Sequence, residues 1–224
     1  MKTSVRFELP QWLILAGMFI ASLIAWSSAA DRVPVHWGLN GDVDRYGGKF
    51  EGLLLLPLIA TGTYVLLLLL PRIDPGEANY ARFALAYVVI RMATLLLFAT
   101  IHALVIAAAT GVDVAMDRIL PVSMGVLFVV IGLVMGKLRP NWFVGIRTPW
   151  TLSSRRSWVR THRLGGWLFI GIGVVAITSV GFPPSWLPPA LVALGIGGAI
   201  AMFAYSYLEW RKDPDRTAPG ASSH

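Results

Sequence analysis

The chain contains no cysteine. That excludes disulfides, thiolate zinc ligands and thiol catalysis. Charge is also scarce: 14% of the 224 residues are Asp, Glu, Lys or Arg, against roughly 25% in soluble domains. What replaces it is apolar: 56% of residues are hydrophobic and the mean hydropathy is +0.66. A water-soluble fold of this size would leave much of that surface unburied, whereas a bilayer is itself an apolar solvent. The net charge of +7 fits Lys and Arg collecting in cytoplasmic loops better than it fits direct nucleic-acid binding.

A transmembrane helix needs about 20 mostly apolar residues. Six stretches qualify, at about 11–29, 53–70, 83–108, 119–136, 164–181 and 187–208. The expected fold is therefore an all-α, polytopic bundle of six transmembrane helices forming a single integral-membrane domain, with no internal repeat. The start of the chain has some signal-peptide character, with Lys2 and Arg6 before an apolar run and Ser28-Ala29-Ala30 after it. The run is long for a signal peptide and Glu8 and Pro10 precede it, so retention is expected. Residues 211–224 are polar and are expected to be a disordered tail.

Charge orients the bundle. Segment 137–163 holds seven of the nineteen basic residues and no acid, which assigns it to the cytoplasm. Alternation then places 30–52 outside and both termini inside. Fourteen basic residues fall on the inner face and four on the outer, with Arg91 inside a span.

Two loops depart from simple connection. In the outer loop 30–52, Val33, Val35, Trp37 and Leu39 alternate with period two, and Asn40-Gly41 suits the centre of a type I′ turn. A small hairpin is expected, with His36, Asn40 and Asp42 as its polar candidates beside Asp44. One histidine and two carboxylates on a turn is too little to imply a metal, and neither metal nor cofactor is expected. In the cytoplasmic loop 137–163, Pro140 and Pro149 break helix and Gly145 permits a sharp turn. Ser153 or Ser154 can cap a following short interfacial helix with Arg156, Arg160 and Arg163 on one face and Trp158, Thr161 and Gly165 opposite. That basic face suits anionic lipid or an acidic protein partner.

The inner stretch Asn141-Trp142-Phe143-Val144-Gly145-Ile146-Arg147-Thr148-Pro149-Trp150-Thr151-Leu152, followed by Trp158 and Thr161-His162-Arg163, resembles the signature of the SdpI family of bacterial membrane immunity proteins. The outer Pro34-Val35-His36-Trp37-Gly38-Leu39-Asn40-Gly41-Asp42 resembles an uncharacterised module often found at the N-terminal side of such proteins. The resemblance implies a bacterial cytoplasmic (inner) membrane location. It also implies immunity to a secreted peptide toxin met outside, and signalling by holding a small repressor protein at the inner face. Its motif residues here are Asn141, Gly145, Arg147, Thr148, Pro149, Trp150, Thr151, Trp158, Thr161, His162 and Arg163. His36, Asn40, Asp42 and His102 are the candidates on the toxin side.

Within the spans, Arg91 and His102 lie within about 20° on a helical wheel, in line with Tyr80, Tyr87 and Phe98. No other span holds an acid in its core, so Arg91 is expected to snorkel, bond exposed carbonyls or bind an anionic ligand. His102, near the outer end, is expected to approach His36. Gly125, Gly132 and Gly136, including a GxxxG, and Gly195, Gly197 and Gly198 read as helix-packing positions. Two other functions compete. A small-solute or ion transporter would need paired intramembrane charges or broken helices. An intramembrane enzyme would need a nucleophile–base pair or an HExxH motif, and the sequence has neither.

Overall fold

The computed structural model describes residues 5–38, 41–182 and 184–218. Six helices are long and apolar enough to cross a bilayer. They are α1 (Val5–Ala25), α2 (Leu55–Ile73, entered through a π turn at Phe50–Leu54), α4 (Ala84–Ala109), α5 (Met116–Met135), α7 (Arg155–Thr178) and α8 (Leu187–Arg211). Two one-turn helices, α3 (Glu77–Tyr80) and α6 (Pro149–Leu152), lie in the loops at one end, and strands β1 (Val33–Trp37) and β2 (Val43–Gly47) form an antiparallel hairpin at the other. The all-α polytopic bundle expected from hydropathy is the observed architecture.

The helices form two groups of three. Helices α1, α2 and α4 pack together, as do α5, α7 and α8, and the α4–α5 contact joins the groups. Leu15, Met18, Ala60, Tyr64 and Leu95 fill the first group. Tyr80, Phe83 and Tyr87 meet Val134, Met135, Leu138 and Trp158 at the junction. The junction sits at the end that carries the 74–83 and 137–154 loops, here the basic end.

Helices α5 and α7 run antiparallel with backbones in near contact. A Cβ added at Gly132 would lie 2.6 Å from the Gly166 carbonyl oxygen, and one at Gly125 would lie 2.6 Å from that of Gly173. The working spacing is thus seven residues on each helix. Gly136, the second glycine of the GxxxG, is at the rim, 3.8 Å from the Arg163 Cα by the same construction. On α8 the expectation also needs correction: only Gly198 packs, against Leu168, while Gly195 and Gly197 face open space.

Three boundaries differ from the hydropathy reading. Helix α1 begins at Val5, because Glu8 and Gln11 are buried in the bundle. Pro10 lies inside the helix, where it forgoes the bond to the Arg6 carbonyl. Residues 155–163 are not a separate interfacial helix. They are the first turns of α7, capped by Ser154, whose Oγ accepts the Ser157 N–H at 2.9 Å. Gly165 and Gly166 do not break this helix because both are buried against neighbours. The expected disordered tail is ordered through residue 218. Asp213 accepts from the Ser154 hydroxyl, Thr217 N–H donates to the Ser153 carbonyl, and Trp210 Nε1 donates to that of Thr217. Residues 219–224 lie outside the described residues.

Candidate functional site

At the hairpin end, Val33 is fully buried with Ala29, Leu53, Val105 and Ala109, and Val35 and Trp37 pack alongside. The alternation in β1 is therefore what seats the hairpin on α4. Pairing of Trp37 with Val43 leaves residues 38–42 as the connection. Gly38 N–H bonds the Asp42 carbonyl and Gly41 N–H bonds that of Gly38. Gly41 has φ +85°, and the Asp117 side chain closes over it. Asn40, a toxin-side candidate, lies outside the described residues. Asp42 is exposed in this loop.

A pocket of about 320 Å³ opens beneath the hairpin. Val35 and Trp37 from β1, Leu55, Leu56 and Ile59 from α2, and Ile101 and Val105 from α4 give it apolar walls, and His36, Arg45 and Glu51 mark its rim. The rim is braced by two exposed pairs, His36 Nδ1 to Asp44 at 2.6 Å and Arg45 to Glu51 at 2.6 Å. His102 does not join His36. It is buried, and its Nε2 lies 3.0 Å from both Ser22 Oγ and the Leu53 carbonyl. Ser22 Oγ also lies 2.6 Å from that carbonyl, so His102 ties α1, the π turn and α4 together one layer below the pocket. Among the described residues, no three His, Asp or Glu side chains converge as a metal-binding set.

The basic end is a folded cap. Asn141 is buried and closes its own turn: Oδ1 accepts the Phe143 and Val144 N–H groups, and Nδ2 donates to the Arg139 and Val144 carbonyls. Asp74, from the α2–α3 loop, accepts the Trp142 N–H at 3.0 Å, the Gly76 N–H and the Tyr80 hydroxyl at 2.8 Å. Burial and that carboxylate push the Tyr80 hydroxyl pKa up. Asn79 donates to the Pro140 carbonyl. Gly145 has φ +117°, and a Cβ there would overlap His162 Nε2, so the position admits no side chain. His162 Nε2 accepts the Ile146 N–H at 2.9 Å, which leaves Nδ1 to carry the proton and donate it to the Trp158 carbonyl at 2.8 Å. Its ring stacks on Trp158 at 4.0 Å.

The second half of the motif grips α8. Thr148 caps α6 in a reciprocal box with Thr151, Pro149 takes the first helical position, and Thr148 Oγ1 donates to Ser206 Oγ at 2.9 Å. Trp150 packs edge-on against Phe203, 4.6 Å between ring centres. Ser157 Oγ donates to the Ser206 carbonyl. Asp213 is held below the usual carboxylate range, chiefly by the Ser154 hydroxyl. Thr161 is buried and Arg163 exposed. Asn141, Thr148 and His162 are therefore buried; the Thr148–Thr151 box and His162 both bond the Ile146 backbone, while Asn141 closes its own turn. Arg147 points outward and donates to the Trp142 carbonyl. Of the three arginines expected on one free face, Arg156 is paired to Glu209 at 3.0 Å.

Arg91 does not snorkel. It is 1% exposed and forms a two-point pair with Glu8, at 2.7 and 3.1 Å. The Tyr64 hydroxyl donates to Glu8 at 2.8 Å, Trp12 Nε1 donates to that hydroxyl, and the guanidinium lies 5.2 Å from the Tyr64 ring centre. Hydropathy hid Glu8 by placing it ahead of the first span. A signal was present: the buried residues Glu8, Gln11, Leu15, Met18, Ser22 and Ala25 recur with helical period. Asp74 offered no such signal for its contact with Trp142, which lies in the loop beyond α5.

Residues 137–206 match the SdpI/YfhL protein family, and residues 13–61 match DUF1648, a domain of unknown function. The chain is 22% identical over 200 residues to the immunity protein SdpI of Bacillus subtilis (strain 168), which covers 89% of this chain and 94% of that protein. No solved structure matches. The first match spans the basic-end motif with α7 and most of α8, the second spans most of α1, the hairpin and the start of α2, and this membrane protein is thus similar to the SdpI family through its basic-end half.

Proposed function

We propose that this chain confers immunity to a secreted peptide toxin, which it meets at the hairpin end. The similarity to an immunity protein supports the class of function, and the pocket beneath the hairpin supports the place. Fourteen basic residues against four favour an outward-facing hairpin and cytoplasmic termini, the arrangement of a bacterial inner-membrane protein that meets toxin from outside. The pocket falls within the size range of ligand sites, and its mix of apolar wall and sparse polar rim is typical of them. Leu55 and Ile59 line it while remaining partly exposed on the flank of α2. An apolar side chain of a peptide lying at the membrane surface therefore has a lateral way in.

The finer proposal, capture of a cytoplasmic repressor, rests on the basic end. Trp142 and Phe143 are 55% and 37% exposed, on a turn held rigid by Asn141 and Asp74, with Arg147 beside them. Exposed Trp and Arg on a rigid mount are the residue types that dominate protein interfaces.

One experiment tests both. The chain and its variants are expressed at matched abundance in a toxin-sensitive host, with toxin resistance and repressor localisation read together. Ile101→Trp, which fills the pocket, and Trp37→Ala, which removes a wall, should each reduce protection about tenfold, the equivalent of about 1.4 kcal/mol of binding. Leu194→Trp, on the outer flank of α8, should leave protection intact. Trp142→Ala with Arg147→Ala should reduce repressor recruitment without loss of protection. Full protection by both pocket variants would reject the pocket as the toxin site.

A transporter is the second reading, because Glu8–Arg91 supplies the paired intramembrane charges such a site needs. Its position argues against it: Glu8 is in the first turn of α1 and Arg91 two turns into α4, and no described spanning helix is broken at mid-length. The pair is also closed by Tyr64 and Trp12.

A further inference from the structure

At the basic end, where α5 stops and α7 starts, Gly136, Arg139, Pro140, Arg155, Val159 and Arg163 surround a cleft of about 440 Å³. Three arginines line it and no acid does. Among the described residues none of the three forms an ion pair; Arg139 makes a single long hydrogen bond to the Leu138 carbonyl. The neighbouring arginines differ. Arg156 is paired with Glu209, and Arg160 lines a second cleft, shared with Arg155 and Val159, that also holds Asp213 and Asp215. Of these two clefts, the first is the one lined by arginine without a carboxylate. The N-terminus of α7, whose first residue is Arg155, adds its positive partial charge. Three like charges around a cavity repel, and no carboxylate of the cleft balances them. Arg139 and Arg163 share neither cleft with a carboxylate, and a counter-charge from outside the chain would complete the site.

Depth identifies its source. Helix α7 and its terminal 3-10 turn span 27 residues, Arg155–Gly181, about 40 Å at the α-helical rise, against about 30 Å of hydrocarbon. No charged residue follows Arg163 until Glu209, so the first two turns of α7 stand at headgroup level. Directly below, on the membrane side, Trp167 is one turn on from Arg163 and 67% exposed, and Leu133 is one turn back from Gly136 and 62% exposed. Gly136 has no side chain to block the path between them.

We propose that this cleft binds the phosphate of an anionic phospholipid, with the acyl chains running down the Leu133–Trp167 flank. Arginine forks match phosphate oxygens in two-point geometry, and basic clefts between spanning helices are suited to acidic headgroups. A soluble phosphate would use the arginines but gain nothing from the apolar flank. An acidic peptide would use the arginines from the aqueous side.

The test is native mass spectrometry of the full chain released from detergent micelles doped with phosphatidylglycerol or phosphatidylcholine. Wild type should retain one phosphatidylglycerol in preference to phosphatidylcholine. Arg139→Gln with Arg155→Gln and Arg163→Gln should weaken that retention by roughly tenfold or more, the scale of losing one charge-assisted hydrogen bond. The paired variant Arg156→Gln with Arg160→Gln should retain it. Wild type alone gives a second reading that does not depend on the triple variant folding: phosphatidylglycerol retention should fall as salt is raised. Equal retention of both lipids, or retention by a folded triple variant, would overturn the proposal. Displacement of the lipid by millimolar inorganic phosphate would instead mark a free-phosphate site. Loss of repressor recruitment in the triple variant with lipid retention unchanged would mark an acidic-peptide surface. Either result overturns the lipid assignment.

Discussion

Replacing Glu8 by Gln should destabilise the protein by about 3–5 kcal/mol, the cost of leaving one charge of a buried pair uncompensated. The guanidinium of Arg91 is 1% exposed and bonds to Glu8 through both terminal nitrogens. Its Nε has no partner among the described residues, so Glu8 is the whole of its counter-charge. Tyr64 and Trp12 cannot substitute, since neither carries a negative charge: Tyr64 donates to Glu8 and Trp12 donates to the Tyr64 hydroxyl. The double variant Glu8→Leu with Arg91→Met should recover most of the loss, because exchanging both ions for apolar groups of similar volume is often neutral or stabilising. Heating the detergent-solubilised protein and measuring the folded fraction by size exclusion gives both values. If Glu8→Gln unfolds at the wild-type temperature, the pair is reached by water and does not lock α1 to α4.

Helix packing carries the second large effect. Gly132→Val should cost about 1–3 kcal/mol or more, the usual penalty of overpacking, and should lower the amount of folded protein in the membrane. The added Cβ would meet the Gly166 carbonyl oxygen at 2.6 Å. The obstacle is backbone, so relief requires the two helices to separate along their length. Gly125→Val should behave alike through Gly173. Gly136→Ala and Gly195→Ala should be close to neutral, since the first is at the rim and the second meets nothing within 4 Å. Thermal unfolding of the four variants side by side distinguishes the seven-residue seam from the GxxxG reading. A Gly136→Ala variant as damaged as Gly132→Val would restore the GxxxG as the contact.

How far each feature was legible follows from the range of the interactions behind it. Hydropathy and loop charge are local sums, so the six spans, the all-α bundle and the contrast between a basic and a less basic end could be read directly. The hairpin was legible because alternation in Val33, Val35 and Trp37 is a property of a single strand. So was the folded character of the 137–163 loop, whose prolines, Gly145 and Thr148 act on their own backbone. Partners far apart in sequence were not legible. Glu8 and Arg91 are 83 positions apart, Asp74 and Trp142 are 68, and Thr148 and Ser206 are 58. A helical pattern shows which face is buried but not which helix covers it. Only the tertiary arrangement decided that Arg91 is paired inside the protein, that Gly132 rather than Gly136 meets Gly166, and that three of the arginines share a cleft without a carboxylate. Each depends on which helices are neighbours and in what register, and that is set by close packing across the whole bundle.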